Sequence, residues 1–466
     1  MYQIWNIALA VTSLSFVACQ SEKKEKDQKP NIIYILADDM GYGDLSINGQ
    51  KHFQTPNLDQ LAKDGIRFTN HYSGSTVCAP SRCCLLTGKH TGHATIRQNY
   101  SVKTRERIGL NDEDVTIAEI LKQEGYVTGA TGKWGLGEIG SKGTPCKQGF
   151  DYWYGYINQH NAHFYYPEFL YENNHRVDLE GNLNGNKTQY SHDLIMDKSF
   201  DFIRKNHNKP FFLYLAVTLP HAELLLPDSY IQEFRGKYPE KEFINKKEGG
   251  YNSQKTPRAA FAAMMKRFDG DVGDLCTLLS QLGIADNTII MFASDNGAHK
   301  EGGADPEFFN SNGPFKGIKR DVYEGGIRTP FFVAWPQKIK KGMVSDHISA
   351  FWDVLPTIIN IVGAKETSKG DGISFYNTLI GKEQEKHSHL YWEFVRKGEV
   401  RQAVRMDKWK AVRYGLNNEL ELYDLSTDEG ENHNVAKDYP GIVEKMKQKM
   451  LESHVDSEDF PLKIIN

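Results

Sequence analysis

The run NIIYILA, Asn31–Ala37, is apolar from end to end and is followed at once by Asp38 and Asp39. A short, unbroken, β-rich run of this kind is the mark of a strand covered on both faces, and such strands belong in parallel sheets sandwiched by helices. The pattern recurs from Pro30 to about Leu379. YVTGAT, PFFLYLAV (Pro210–Val217), NTIIMFAS (Asn287–Ser294) and TPFFVAWP (Thr329–Pro336) read as strands. NLDQLAKDGIRF, with Thr55 and Pro56 at its start, TIAEILKQEGY (Thr116–Tyr126) and the long stretch Ala259–Gly283 read as helices. Strand–helix alternation predicts an α/β fold, a large mostly parallel sheet flanked by helices, over residues 31–382. The remainder, 383–466, reads differently. HLYWEF, QAVRMDKWKAVRY and LELYDL are spaced like antiparallel strands, and Tyr439–His454 reads as a closing helix. This predicts a smaller C-terminal α+β subdomain.

The 466 residues are 39% hydrophobic and 25% charged, which is globular composition. A net charge of −4 with no basic stripe argues against a nucleic-acid partner. The N-terminus stands apart. IWNIALAVTSLSFVAC is an apolar run short of a membrane span, and QSEKKEKDQK cuts it off. It reads as a signal peptide over residues 1–19, with Ala18-Cys19 placed like a lipoprotein cleavage site and Cys19 as the lipid-carrying residue. Residues 20–30 then form a charged linker. Membrane attachment would be through that anchor alone.

Ligand sites in open α/β sheets gather at the carboxyl ends of the strands. Asp38 and Asp39 follow the first predicted strand, Gly132-Lys133 the second, Pro220-His221 the third, and Asp295-Asn296 the fourth. Asp38, Asp39, Asp295 and Asn296 offer oxygen only, which suits Ca²⁺ or Mg²⁺ and not zinc. A hard cation beside Lys133 and His221 makes a site for an oxyanion such as sulfate or phosphate.

The remaining oddity is STVCAPSRCCLLTGKH, Ser75–His90, with Cys78, Cys83 and Cys84 close together. The chain has six cysteines and no C-x-x-C pair, so a zinc knuckle does not fit. CAPSRCCLLTG matches the signature C-x-P-S-R followed by T-G, and the chain thereby resembles the formylglycine-dependent type I sulfatases of the alkaline phosphatase superfamily. ADDMGYGD, TGKWGLG, LPH, SDNG, YEGGIRTP and ELYDL extend the likeness over nearly everything after the linker.

That resemblance implies conversion of Cys78 to formylglycine by a maturase. The hydrated aldehyde has two hydroxyls on one carbon. One attacks sulfur and releases the alcohol, leaving a sulfated enzyme; the other loses its proton, expels sulfate and regenerates the aldehyde. It implies Ca²⁺, with Mg²⁺ the weaker candidate, held by Asp38, Asp39, Asp295, Asn296 and the modified Cys78. Arg82 would hold the formylglycine hydroxyl or the ligand carboxylates. Lys133 and Lys319 would bind sulfate oxygens, and His221 would protonate the leaving alcohol. Pro80 is expected to start a helix whose amides face the anion. Cys83 and Cys84 are expected one turn in, as small apolar residues.

One position departs from the family pattern. The sulfatases usually carry a histidine two residues after the lysine, as in G-K-W-H, and here Gly135 stands there. The segment NQHNAHFYYP offers His160 and His163 as replacements. The stretch Phe150–Tyr171 holds ten aromatics in 22 residues, either packing or a wall for sugar rings. Trp392 in LYWEF is a further candidate for sugar contact. The pattern is similar to bacterial exo-acting sulfatases that work on 4-O- or 6-O-sulfated galactose or N-acetylgalactosamine, as periplasmic or outer-membrane lipoproteins. The competing expectations are a phosphodiesterase or phosphonate monoester hydrolase of the same superfamily, and a lipid-anchored glycan-binding protein without turnover.

Overall fold

The computed structural model describes Met1, residues 29–365 and residues 370–462. Cys19, the apolar run before it and nearly all of the charged linker lie outside the described residues. No helix among those described is long and apolar enough to cross a membrane.

The chain builds a large mixed, mostly parallel sheet. Strand β1 (Asn31–Ala37) lies at its centre with every residue buried. Its alternate side chains enter two separate cores: Ile32, Tyr34 and Leu36 one, Ile33, Ile35 and Ala37 the other. That two-sided burial is why the run shows no polar alternation. Strands β8 (Phe211–Ala216) and β9 (Thr288–Ser294) flank β1, both parallel to it. Strand β4 (Val127–Lys133) pairs parallel with β8, and β5 (Tyr152–Tyr156) with β4.

The edges reverse direction. Strand β10 (Phe331–Ala334) runs antiparallel to β9, and β2 (Ile66–Phe68) antiparallel to β10. Strand β11 (Met343–Ser345) closes that side. On the other side a hairpin of β6 (Phe169–Glu172) and β7 (His175–Asp178) pairs with β5. Two short strands, β3 (His71–Tyr72) and β12 (Ser349–Ala350), pair separately.

Local detail corrects three expectations. Helix α1 spans only Pro56–Lys63, because Ile66 and Phe68 alternate with Arg67 and join the sheet as β2. Helix α2 spans Cys78–Thr87 and starts two residues before Pro80. It is stopped at Gly88, whose φ of +70° lets its N–H close on the Cys84 carbonyl. The segment QAVRMDKWKAVRY is two strands, not one, folded back at Asp407 with φ +53°. Helix α3, Ile117–Gln123, keeps its place under a Thr116/Glu119 capping box.

The C-terminal region forms a separate antiparallel sheet of β13 (Leu390–Arg396), β14 (Glu399–Met406), β15 (Trp409–Tyr414) and β16 (Glu421–Asp424). Helix Pro440–Glu452 buries Met446 and Met450 among Tyr391, Val404, Ala411 and Leu422.

Candidate active site

Asp38 and Asp39 leave the end of β1, and Asp295 and Asn296 leave the end of the neighbouring β9. All four are fully buried. Asp39 holds a left-handed backbone, φ +63°, unusual for a residue with a side chain. Its N–H donates to Asp295 Oδ1 at 3.1 Å, and Asn296 Nδ2 donates to Asp39 Oδ1 at 2.7 Å. Lys133, the last residue of β4, donates from Nζ to Asp38 Oδ2 at 2.6 Å. Lys319 donates to Asp39 Oδ2 at 2.5 Å, and its Nζ lies 3.0 Å from His221 Nε2. His221 Nδ1 contacts the Ala222 carbonyl, so Nδ1 carries the proton and Nε2 accepts from Lys319.

Arg82, one turn into α2, ties the frame together. Its Nε and Nη2 both donate to Asp295 Oδ2, at 3.0 and 2.8 Å, and its Nη1 donates to the Lys133 carbonyl at 2.7 Å. Of the two roles foreseen for it, the structure shows the hold on a carboxylate. Cys78 begins α2 with its side chain 1% exposed. Its Sγ donates to Gln159 Oε1 at 2.9 Å.

Burial acts on several groups here. It pushes Asp295 up to about 7, with repulsion from Asp38 adding to it. Burial pushes Asp38 in the same direction, but Lys133, His221, Arg82 and Lys319 hold it well below the usual carboxylate range. Burial, then Lys319, keep His221 far below the ordinary imidazole value, so it is neutral in this state. The Cys78 thiol is pushed up by burial.

The residues fit a hard cation on their own evidence. Asp38 Oδ1 and Asn296 Oδ1 are buried without a hydrogen-bond partner among the described residues. Three carboxylates crowd one buried pocket, and Asp38, Asp39 and His221 each bring a ligand atom within 4.8 Å of the others. An oxygen-rich donor set with orphaned lone pairs suits Ca²⁺ or Mg²⁺.

The substrate-side expectations divide. His163 stacks flat on His221, ring centres 4.5 Å apart, and His299 stacks on the other face at 5.4 Å. The His160 ring is exposed and meets Phe164 edge-on. Trp392 is 1% exposed, packs on Tyr72 and Trp352, and spends its indole N–H on the Ser73 carbonyl. It belongs to the interior and offers no face to a sugar. The aromatic segment is shared between both readings. Trp153, Tyr154, Tyr156 and Tyr165 are packed inside. Phe164, Tyr166 and Phe169 line a cleft of about 310 Å³ with Lys187, Glu223 and Asn252.

Sequence reasoning missed Gln159 and the group His299–Glu301–Arg320. Glu301 pairs with both His299 and Arg320, and Arg320 lies within electrostatic reach of Cys78 and Asp39. The strand-end motifs ADDMGYGD and SDNG gave no hint of them, since they lie outside the strands. The bare Gly135 was the one available signal for Gln159.

The comparisons bear on this geometry directly. The sulfatase family model matches residues 30–364, and a model of the N-sulphoglucosamine sulphohydrolase C-terminal region matches residues 315–456. The chain is 31% identical to the N-acetylgalactosamine-6-sulfatase of Mus musculus, over 93% of this chain and 82% of that one. It is 28% identical to the N-acetylgalactosamine-6-O-sulfatase of Bacteroides thetaiotaomicron, over 93% and 94%. The crystal structure of Ps i-CgsB in complex with k-i-k-neocarrahexaose superposes with a TM-score of 0.77 at 30% identity, covering 91% of this chain and 92% of that one. The family model spans every strand that leads into Asp38, Lys133, His221 and Asp295, and the relatives and the superposition cover more than nine-tenths of the chain: it belongs to the sulfatase family and is a sulfuric ester hydrolase.

Proposed function

We propose that this carbohydrate sulfatase removes sulfate esters from the end of a glycan, at galactose or N-acetylgalactosamine bearing 4-O- or 6-O-sulfate. The 6-O position of N-acetylgalactosamine is favoured, because relatives from both mouse and Bacteroides thetaiotaomicron carry that name. The observation that carries the reading is the seat of Cys78, buried at the start of α2 and within electrostatic reach of Lys133 and Lys319.

Formylglycine at position 78 would supply the hydroxyl nucleophile, and Ca²⁺, held by Asp38, Asp39, Asp295, Asn296 and residue 78, would polarise the sulfate. Around them the chain's own residues divide the work. The two lysines face the oxyanion and offset the charge that gathers on it. Arg82 fixes Asp295 and the end of β4, so the anionic and cationic walls keep their spacing. His221 stands beside Lys319 and Asp39, its Nε2 accepting from Lys319 at 3.0 Å. It is neutral until an anion enters, and a proton taken up there on sulfate binding can be passed to the leaving alcohol. A maturase that recognises the C-x-P-S-R segment is the implied partner. Export with lipidation at Cys19 completes the reading.

The test is desulfation of defined 4-O- and 6-O-sulfated galactose and N-acetylgalactosamine by the mature enzyme, with Cys78→Ser beside it. Turnover of a 6-O-sulfated sugar, lost in Cys78→Ser, is the expected result. Undiminished turnover in Cys78→Ser refutes the nucleophile assignment.

A further inference from the structure

The space left by Gly135 is filled. Beyond the end of β4, the N–H groups of Trp134 and Gly135 donate to the carbonyls of Tyr156 and Ile157, each at 3.0 Å. Pairing with the β5 segment therefore continues past the sheet and lays Gln159 across Gly135. Gly135 has φ +77°, and a Cβ built on it collides with Gln159 Nε2 and lies 2.6 Å from Gln159 Cδ. A residue with a side chain cannot stand at 135 while Gln159 keeps its seat. The Gln159 side chain is 4% exposed. Its Oε1 takes the hydrogen bond from Cys78 Sγ at 2.9 Å, and its Nε2 is buried with no partner among the described residues. Asn99 Oδ1 lies 3.9 Å from the same sulfur and accepts the Ala79 N–H at 3.3 Å.

We infer that Gln159, admitted by Gly135, is the group that holds the reacting side chain of residue 78 in this enzyme, in the place where the sulfatase pattern puts a histidine. The inference rests on the formylglycine reading of position 78. The role is one of positioning by hydrogen bonds. A carboxamide accepts through Oε1 and donates through Nε2, and it does not take up a proton near neutral pH. Neither neighbouring histidine competes for the role: the His160 ring is exposed, and His163 is committed to its stack on His221.

The experiment compares mature wild type with Gln159→Ala and Gln159→Glu on a sulfated sugar that the wild type turns over. Gln159→Ala is expected to lower kcat on the order of 10²-fold with KM within about threefold. Gln159→Glu keeps the shape and the accepting oxygens, and is expected to retain about tenfold more kcat than the alanine variant. Intact-protein mass spectrometry counts conversion at position 78 in each variant and captures sulfated enzyme during turnover. The sulfated fraction is expected to rise in Gln159→Ala. A crystal structure of the mature wild type is expected to place an oxygen of residue 78 within hydrogen-bonding distance of the Gln159 carboxamide. Wild-type kcat in Gln159→Ala, equal impairment of the two variants, or another side chain in contact with that oxygen overturns the inference while conversion is intact. Unconverted Cys78 in a fully active wild type overturns the formylglycine reading and this inference with it.

Discussion

Arg82 spends three guanidinium N–H groups on the frame of the site, two on Asp295 and one on the Lys133 carbonyl. Lysine carries the charge but not the planar fork, so it cannot bridge a carboxylate and a carbonyl set at an angle. Arg82→Lys is expected to lower kcat by at least about tenfold while the protein still folds, read from kinetics beside a thermal melt. Arg82→Ala leaves Asp295 and Asp38 buried without their shared counter-charge, which costs about 3–5 kcal/mol, measurable by urea denaturation. A stability loss well under 1 kcal/mol would mean that the carboxylates find another partner. At this scale the sequence was readable where chemistry demands a residue type: acid, amide, lysine and histidine at strand ends. It was unreadable for Trp392, because an indole in a strand serves packing and stacking equally well until its N–H partner, here Ser73, is known.

The elements meet through a buried charge as well as through the cores. Lys410, on β15 of the C-terminal sheet, lies 2.8 Å from Glu324 and 3.0 Å from Glu431, all three buried. Glu324 belongs to the YEGGI segment that follows Lys319, so the small sheet is clamped to the loop that carries a sulfate-binding candidate. Burial raises Glu324, but Lys410, Arg328 and Arg405 bring it down to about 2. Burial raises Glu431 to about 7, and Lys410 does not offset it. A carboxylate whose folded pKa lies above its unfolded value binds a proton in the native state that the unfolded chain has lost. Its contribution is full below the unfolded pKa of 4.5 and disappears as pH rises to about 7. The stability of wild type relative to Glu431→Gln is therefore expected to fall between pH 4.5 and 7, by at most about 3 kcal/mol, and to level off above. Melts of both proteins across that range decide it; parallel curves would refute a raised Glu431. Lys410→Met strips Glu431 of its cation, leaves Glu324 to Arg328 and Arg405, and is expected to destabilise by about 3–5 kcal/mol. None of this was legible beforehand. The pattern of β13 to β16 showed strands, because hydrophobic period carries that signal, but it does not say which lysine turns inward.

Across the whole molecule the site draws on positions from Asp38 to Lys319, and one architectural fact brings most of them together: β1, β4, β8 and β9 run parallel, so the residues that follow them emerge at one edge. That is why the parallel sheet and the oxyanion site could be read from strand ends alone. The same rule is silent on loops, and so Gln159, His299, Glu301 and Arg320 were not seen. It is equally silent on the antiparallel strand β10, between β9 and β2, whose apolar run looks like any other buried strand. The parallel frame has a measurable consequence. The ends of β1 and β9 carry three carboxylates in a buried cluster where Asp38 Oδ1 and Asn296 Oδ1 have no hydrogen-bond partner among the described residues. A divalent cation there would join two central strands, and its removal would leave repulsion at the middle of the sheet. Chelation of the mature protein is expected to abolish turnover and to lower Tm. At a free cation concentration about 100 times Kd the ligand adds about 2.7 kcal/mol, which a melt detects readily. Ca²⁺ is expected to restore both more fully than Mg²⁺, because a crowded set of side-chain oxygens satisfies the larger ion's higher coordination number. Asp295→Asn should weaken that restoration, since it removes one of the charges that hold the ion. An unchanged Tm and undiminished turnover after exhaustive chelation would show that Lys133, Lys319 and Arg82 alone balance the three carboxylates.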